Sequence, residues 1–194
     1  MSKSLLFFLV AVSPLALASE SGQQVSPYAG QEQREIKSLS EEDIRELRRG
    51  GGWGLAKSAE LNGLPGPAHL LELKDEIPLS ANQVSTITNV FERMRSMAKE
   101  KGERLIDLER ILEMELRGTT VTPDALQAML TQIGQTRADL RYIHISAHLA
   151  MKEILTTEQI VRYNQLRGYG LDDPCATVPE GHDPDMWREH NNCE

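Results

Sequence analysis

The chain has 194 residues, a formal net charge of −8 and only 5% aromatic side chains. The acidic balance argues against a nucleic-acid partner held through its phosphates, and the length suffices for one domain. A high polar fraction with few aromatic residues predicts an extended helical assembly with a thin core.

The N-terminus has the pattern of a secretory signal. Residues 1–18, MSKSLLFFLVAVSPLALA, place Lys3 before an apolar run and end in the small-x-small motif that finishes at Ala18. The run is shorter than the about 20 apolar residues of a spanning helix. We therefore expect a signal peptide cleaved near Ala18, an exported mature chain and no membrane anchor. The polar residues 19–38 predict a flexible leader.

Residues 39–78 predict short helices separated by Gly/Pro-rich linkers. Ser40 precedes three acidic residues, which is typical of a capped helix start. "GGGWG" at 50–54 and "NGLPGP" at 62–67 interrupt the helical pattern. A phosphate-binding loop would need GxxxxGK[ST] or GxGxxG after a strand, and neither is present. We interpret the glycines as hinges between short helices near residues 55–61 and 68–76.

A long helix is predicted from Ala81 to about Arg117, roughly 55 Å in length. Its apolar residues recur at alternating four- and three-residue steps, with Lys101 at the one missing apolar position. Gly102 is a weak point that costs about 1 kcal/mol relative to alanine. The apolar positions are Ile87, Phe91, Met94, Ala98, Leu105, Leu108 and Leu112.

A second long helix is predicted after a turn at residues 118–122. Gly118 can end the first helix, Thr122 can cap the second, and Pro123 suits its first turn. Two long helices with matching apolar stripes and a short link predict an all-α fold built on a long antiparallel helical hairpin, residues 79–168, with short flanking helices. Residues 169–194 form an irregular tail. The second stripe is Leu126, Met129, Ile133, Thr136, Leu140, Ile143, Ala147, Ala150 and Ile154.

One five-residue phrase occurs twice, as "LSANQ" at 79–83 and "LTTEQ" at 155–159. In each copy the hydroxyl residue is a helix N-cap and the glutamine completes a capping box, while the leucine and the next apolar residue form a hydrophobic staple. The motif residues are Leu79, Ser80, Gln83 and Val84 in the first copy, and Leu155, Thr156, Gln159 and Ile160 in the second.

The signal peptide, the helical hairpin and the paired LTxxQ phrases together resemble the Spy/CpxP family of Gram-negative envelope proteins, whose relatives include ZraP and CnrX. The resemblance covers about residues 79–167, with Ser80 where the family usually has threonine. It implies a periplasmic homodimer of bent hairpins. Such a protein acts as an ATP-independent chaperone for unfolded envelope proteins, or as a stress-response adaptor to a membrane sensor.

The methionines allow two interpretations. Flexible thioether side chains suit adaptable contacts with unfolded clients, but buried methionines are more often core or dimer interface, which we favour. The residues concerned are Met94, Met97, Met114, Met129 and Met151.

His144 and His148 are spaced i, i+4 and so can share a metal ion. Two ligands do not complete a site, so acids from the facing helix or a second subunit would supply the rest. The alternative is that both are partly exposed surface histidines, with His148 the more exposed. No cofactor is required by the motifs. Zn, Cu or Ni is the ion expected if the metal-sensor alternative, on the pattern of CnrX or ZraP, holds.

The tail contains both cysteines, Cys175 and Cys193, with His182 and His190 between them. Two cysteines in an exported tail predict a disulfide. A Cys2His2 metal site is the alternative, although the gaps are longer than in standard zinc modules. No HExxH, GxSxG or other pair of nucleophile and base is present, so we do not expect an enzyme.

Overall fold

The computed structural model describes residues 25–118, 120–169, 175, 178, 181–191 and 193. The chain divides into two units, Met1–Glu32 and Gln33–Glu194. In the first unit, the described residues form turns and begin a 3-10 helix, Gln31–Gln33. The predicted signal peptide and its cleavage site at Ala18 lie outside the described residues.

The second unit is helical, and no strand occurs among its described residues, so the all-α class is confirmed. Two long helices carry the unit and five shorter ones accompany them. In chain order the helices are α1 (Glu41–Arg49), α2 (Lys57–Leu61), α3 (Pro67–Glu72), α4 (Ala81–Gly118), α5 (Pro123–Ile154), α6 (Thr157–Leu166) and α7 (Pro184–Asn191).

Helix α1 begins and ends as the sequence predicts. The Ser40 side chain accepts a hydrogen bond from the Asp43 amide, and the Asp43 carboxylate accepts one from the Ser40 amide at 2.8 Å. Gly50 ends the helix in the left-handed region at φ 68°, where glycine carries no Cβ penalty. The Trp53 indole then donates to Asp43 at 2.7 Å, which ties the glycine-rich loop to the start of the same helix.

Helices α4 and α5 form a long helix pair and pack along each other. Lys101 pairs with Asp139 at 2.9 Å, so the polar position within the predicted stripe has a partner. The Lys101 hydrogen bond lowers the pKa of the Asp139 carboxyl. Nearer the turn, Arg137 pairs with Glu109 at 2.8 Å. Glu109 is buried, so it does not belong to the solvated face that its charge suggests.

Helix α1 crosses α4 at Gly102, the position predicted to weaken the long helix. A Cβ at Gly102 would lie 2.4 Å from the Leu47 carbonyl oxygen. The glycine therefore allows the two backbones to approach. Glycine lowers the helix propensity of α4 at this position, but it allows α1 to pack there. This packing places Leu47 in a first cluster of buried apolar residues. That cluster also contains Ile36, Leu39, Met94, Ala98, Leu105, Ile106, Leu108, Ile133, Leu140, Ile143 and Ala147.

A second buried cluster lies where α4 begins and where α5 meets α6. We call this region the capped end. Three of the four predicted staple residues, Leu79, Leu155 and Ile160, belong to the cluster, whereas Val84 is half-buried outside it. The buried members are Leu70, Ile77, Ile87, Met151, Leu155 and Tyr163.

Two segments differ from the sequence-based expectation of irregular structure. In the predicted flexible leader, Ile36 is buried, and Lys37 forms an ion pair with Glu113 on α4. The Lys37 hydrogen bond lowers the pKa of the Glu113 carboxyl. In the predicted irregular tail, α7 forms and its Trp187 is buried. Both segments are short, so a single buried side chain anchors them without an apolar period that the sequence could reveal.

Candidate functional site

Both predicted capping boxes are present. The Ser80 hydroxyl accepts a hydrogen bond from the Gln83 amide at 3.2 Å, and the Gln83 side chain accepts one from the Ser80 amide at 2.9 Å. The corresponding distances between Thr156 and Gln159 are 3.3 and 3.0 Å. The two phrases therefore form the same N-terminal cap, one at the start of α4 and the other at the start of α6.

The structure also brings the two phrases together. The Gln83 amide group donates to the Gln159 side-chain oxygen at 2.8 Å, and the Gln159 amide group donates back at 3.1 Å. Each amide group also donates to a backbone carbonyl, Gln83 to Ile154 at 2.9 Å and Gln159 to Pro78 at 2.8 Å. Each of these carbonyls belongs to the residue just before the leucine of a phrase, so the contact has approximate twofold symmetry.

This glutamine pair uses the whole hydrogen-bonding capacity of both side chains. A primary amide has two N–H donors and an oxygen with two lone pairs, and all four are engaged in Gln83 and in Gln159. Removing one partner leaves partly buried groups unsatisfied, at a cost of about 1 to 3 kcal/mol. Each copy of the repeated phrase thus caps its own helix, and the two copies together join the starts of α4 and α6 at the capped end.

All five histidines of the chain line one open cavity of about 1450 Å³. His144 and His148 come from α5 and His69 from α3, while His182 and His190 come from the tail. The glycine-rich loop, α2 and α7 provide further lining residues. The sequence predicted the two α5 histidines as neighbours and offered His182 and His190 for a separate tail site. It did not relate these pairs to each other or to His69, because they are distant along the chain. We call this space the histidine cavity.

The α5 histidines are buried, with exposed fractions of 4% for His144 and 8% for His148. The interpretation of both as partly exposed surface residues is therefore wrong, because the segment containing α2 and α3 covers this side of α5, although His148 is the more exposed of the two as expected. His148 donates through Nδ1 to the Leu64 carbonyl at 2.8 Å. Gly66 passes so close that a Cβ there would lie 2.9 Å from the His148 ring.

His144 differs from His148 in lacking a polar partner for one ring nitrogen. Its Nε2 is buried without a hydrogen bond. Burial, together with the neighbouring His148, lowers the pKa of His144 below its usual value. The ring is therefore neutral at pH 7 and keeps a lone pair on one nitrogen.

Glu60 of α2 lies at the edge of the histidine cavity in a polar cluster that the sequence did not reveal. Its carboxylate accepts hydrogen bonds from the Tyr163 hydroxyl, from the Tyr169 hydroxyl at 3.0 Å and from Arg167 at 3.2 Å. His148 Nδ1 is 3.6 Å from the other carboxylate oxygen. Burial and the Glu60 charge raise the pKa of Tyr163. Helix α2 has only five residues, too few for an apolar period to mark Glu60 as buried.

The tail is closed by a disulfide between Cys175 and Cys193, as the sequence predicts, with the two Cα atoms 5.5 Å apart. Oxidised cysteines are not metal ligands, so the Cys2His2 alternative does not apply to this form. Within the closed loop, the His182 ring lies 4.9 Å from the Trp187 ring in an edge-on arrangement. His182 Nδ1 is buried without a hydrogen-bond partner.

The predicted metal pair is not completed by further ligands in the structure. Across the described part of the chain, no group of three or more His, Cys, Asp or Glu residues is close enough to hold an ion. The nearest carboxylate to His148, Glu60, already accepts hydrogen bonds from three other residues. Metal binding at His144 and His148 therefore stays a prediction.

No known protein family, curated protein or solved structure matches the chain. The resemblance to the Spy/CpxP family therefore stays a prediction from the sequence, based on the signal-peptide pattern, the helical pattern and the repeated phrase. Among the described residues, no helix has both the length and the apolar character that crossing a membrane requires.

Proposed function

We propose that this chain is a periplasmic stress-response protein of the Spy/CpxP type, which acts as an ATP-independent chaperone or as an adaptor to an envelope stress sensor. The proposal includes a helical hairpin that assembles as a homodimer, and it requires no catalytic residue. Its support is the repeated phrase, whose two copies are paired at the capped end, and an exposed apolar surface at the opposite end of the long helices.

That surface is the observation that carries the proposal. Where α4 ends and α5 begins, four large apolar side chains are 40 to 57% exposed. Large apolar side chains exposed in one region of a protein fit a protein-binding site, and the methionine among them can adapt to clients of different shape. We define the turn-end surface as Ile111, Met114, Leu116 and Leu130.

The test is suppression of aggregation of reduced insulin at near-stoichiometric ratios, measured by light scattering. The variant Met114→Ser/Leu116→Ser should lose most of the suppression, because it removes apolar area that a client would bury. The matched control is Leu61→Ser/Val161→Ser, which removes equally exposed apolar side chains elsewhere. Equal activity of both variants would contradict the role of the turn-end surface, and no suppression by the wild type would favour the adaptor role.

A second function, heavy-metal binding by a periplasmic sensor, is favoured by the convergence of all five histidines on one cavity. Its ligands would be His144 and His148, and its ion Zn, Cu or Ni, which imidazole suits. Calorimetric titration should show binding that the double variant His144→Gln/His148→Gln abolishes. Unchanged affinity in a folded double variant would refute this function.

A further inference from the structure

We propose that the disulfide-closed tail supplies His182 as a third ligand to a divalent transition-metal ion that His144 and His148 hold in the histidine cavity. This inference rests on the proposed metal-binding function and adds to it a ligand from the tail. The ion would join α5 to the tail, so that metal binding would fix the position of the tail on the helical body.

The first observation is where the unsatisfied nitrogen atoms lie. In the described residues, three buried side-chain N or O atoms have no hydrogen-bond partner: His144 Nε2, His182 Nδ1 and Asn164 Oδ1. Two of the three are imidazole nitrogens, and both residues line the histidine cavity. Leaving such an atom buried and unpaired costs about 1 to 3 kcal/mol. A metal ion that accepts both lone pairs would remove this cost at both residues.

The second observation is the orientation of His148. Its Nδ1 donates to the Leu64 carbonyl, which leaves Nε2 as the nitrogen with a lone pair. A ligating histidine usually donates its other ring N–H to a carbonyl or carboxylate in this way. His144 lies one helical turn away on the same face of α5. The α5 pair is thus prepared for binding before any ion arrives.

The choice among the remaining histidines follows from their surroundings. His69 Nδ1 forms a hydrogen bond with the Glu72 carboxylate at 2.9 Å. The His190 side chain is exposed to solvent. His182 is the one with a buried, unpartnered nitrogen. Three imidazoles with a water molecule are a common ligand set for tetrahedral zinc.

The imidazoles do not meet at bonding distance within the described structure, so His182 must approach α5 for the site to form. The disulfide joins residues 18 apart and so restricts the conformations of the loop that carries His182. A restricted loop loses less entropy when its histidine is fixed by an ion. Metal affinity should therefore depend on the disulfide as well as on His182.

The experiment is a calorimetric titration of the oxidised mature protein with Zn²⁺, paired with a Ni²⁺ titration followed by tryptophan fluorescence. The fluorescence is measured in a Trp53→Phe background, so that Trp187, in contact with His182, is the only reporter. We expect Zn²⁺ binding with one ion per chain, and quenching of Trp187 by Ni²⁺. His182→Gln should weaken Zn²⁺ binding about tenfold or more and remove the quenching, since it deletes one ligand.

His190→Gln is the matched control, because His190 lines the same cavity from the same loop. It should change the affinity less than about twofold, well under the factor of ten that 1.4 kcal/mol produces. Cys175→Ser/Cys193→Ser, with His182 retained, should weaken binding by an intermediate factor. Wild-type binding that His144→Gln weakens but His182→Gln does not would overturn the tail inference and leave the metal function in place. Equal losses in His182→Gln and His190→Gln would also overturn it. No binding by the wild type would overturn both.

Discussion

The two ends of the long helix pair have similar apolar sequences but different surroundings. At the capped end, α3 and α6 add a layer over α4 and α5, and Ile87 and Met151 are fully buried. At the other end, where α4 ends and α5 begins, Met114 and Leu116 are about half exposed. We call this region the turn end. The comparison teaches that a heptad pattern identifies residues available for burial, whereas the short flanking helices decide which of them are buried.

The largest effect should come from adding one methyl group where α1 crosses α4. In Gly102→Ala, the new Cβ would meet the Leu47 carbonyl, a backbone atom that cannot move alone. We expect a loss of about 1 to 3 kcal/mol in the free energy of unfolding, measured by urea denaturation. Gly134→Ala is the control, because α5 has open space there, and it should stabilise the protein by up to about 1 kcal/mol. Destabilisation by both variants would contradict the role of the close approach.

The next effect tests the hydrogen bonds that join the capped end. Gln83→Ala and Gln159→Ala should each destabilise the protein by about 1 to 3 kcal/mol, because each leaves the other amide unsatisfied. Once one glutamine is absent, removing the second should cost less. A double-mutant cycle in urea should therefore give a coupling energy of about 0.5 kcal/mol or more. Additive losses would show that each glutamine acts only as a local cap.

A pH-dependent effect should follow from the burial of His144. Because its folded-state pKa is lowered, the unfolded chain takes up a proton near pH 6.5 while the folded chain does not. The free energy of unfolding should thus fall as the pH decreases from about 6.5 through the folded-state pKa, and His144 should contribute no pH dependence above that range. His144→Leu should show a smaller decrease between pH 7.5 and pH 5. If the free energy of unfolding decreases as much in the variant as in the wild type, groups other than His144 cause the pH dependence.

The smallest effect is expected at the turn end. Leu130→Ser removes a side chain that is already half exposed, so the free energy of unfolding should change by no more than about 0.5 kcal/mol. A thermal or urea melt measures this directly. A loss above about 1 kcal/mol would mean that this surface is covered in solution, for instance by a second copy of the chain, and would weaken its assignment to clients.

Local signals predicted the helix ends well. Ser40, Thr122 and Thr156 cap helices where their side chains and neighbours indicate, because capping depends on residues within one turn. The contact between Gln83 and Gln159 was not predictable in this way, since it joins atoms 76 residues apart in sequence. Gly102 was noticeable in the sequence as an unfavourable residue inside a strongly predicted helix. The sequence did not show that α1 packs against it.

The candidate site was predicted only in part. The spacing of His144 and His148 placed them on one face of α5, but their burial depends on α2 and α3, which are too short to show a period. The approach of His182 to the same cavity depends on where the disulfide-closed tail folds. The cysteine count predicts the closure but not the surface against which the loop packs.

The contact between the paired glutamines can form only late in the synthesis of the chain. Gln83 leaves the ribosome 76 residues before the partner that satisfies its side chain. Until α6 has been synthesised, the first phrase can start its helix but cannot join the second. A chain that stops at the end of α5 would contain both long helices and lack the contact between the two glutamines. Such a fragment should therefore lack the hydrogen bonds that join the start of α4 to the start of α6.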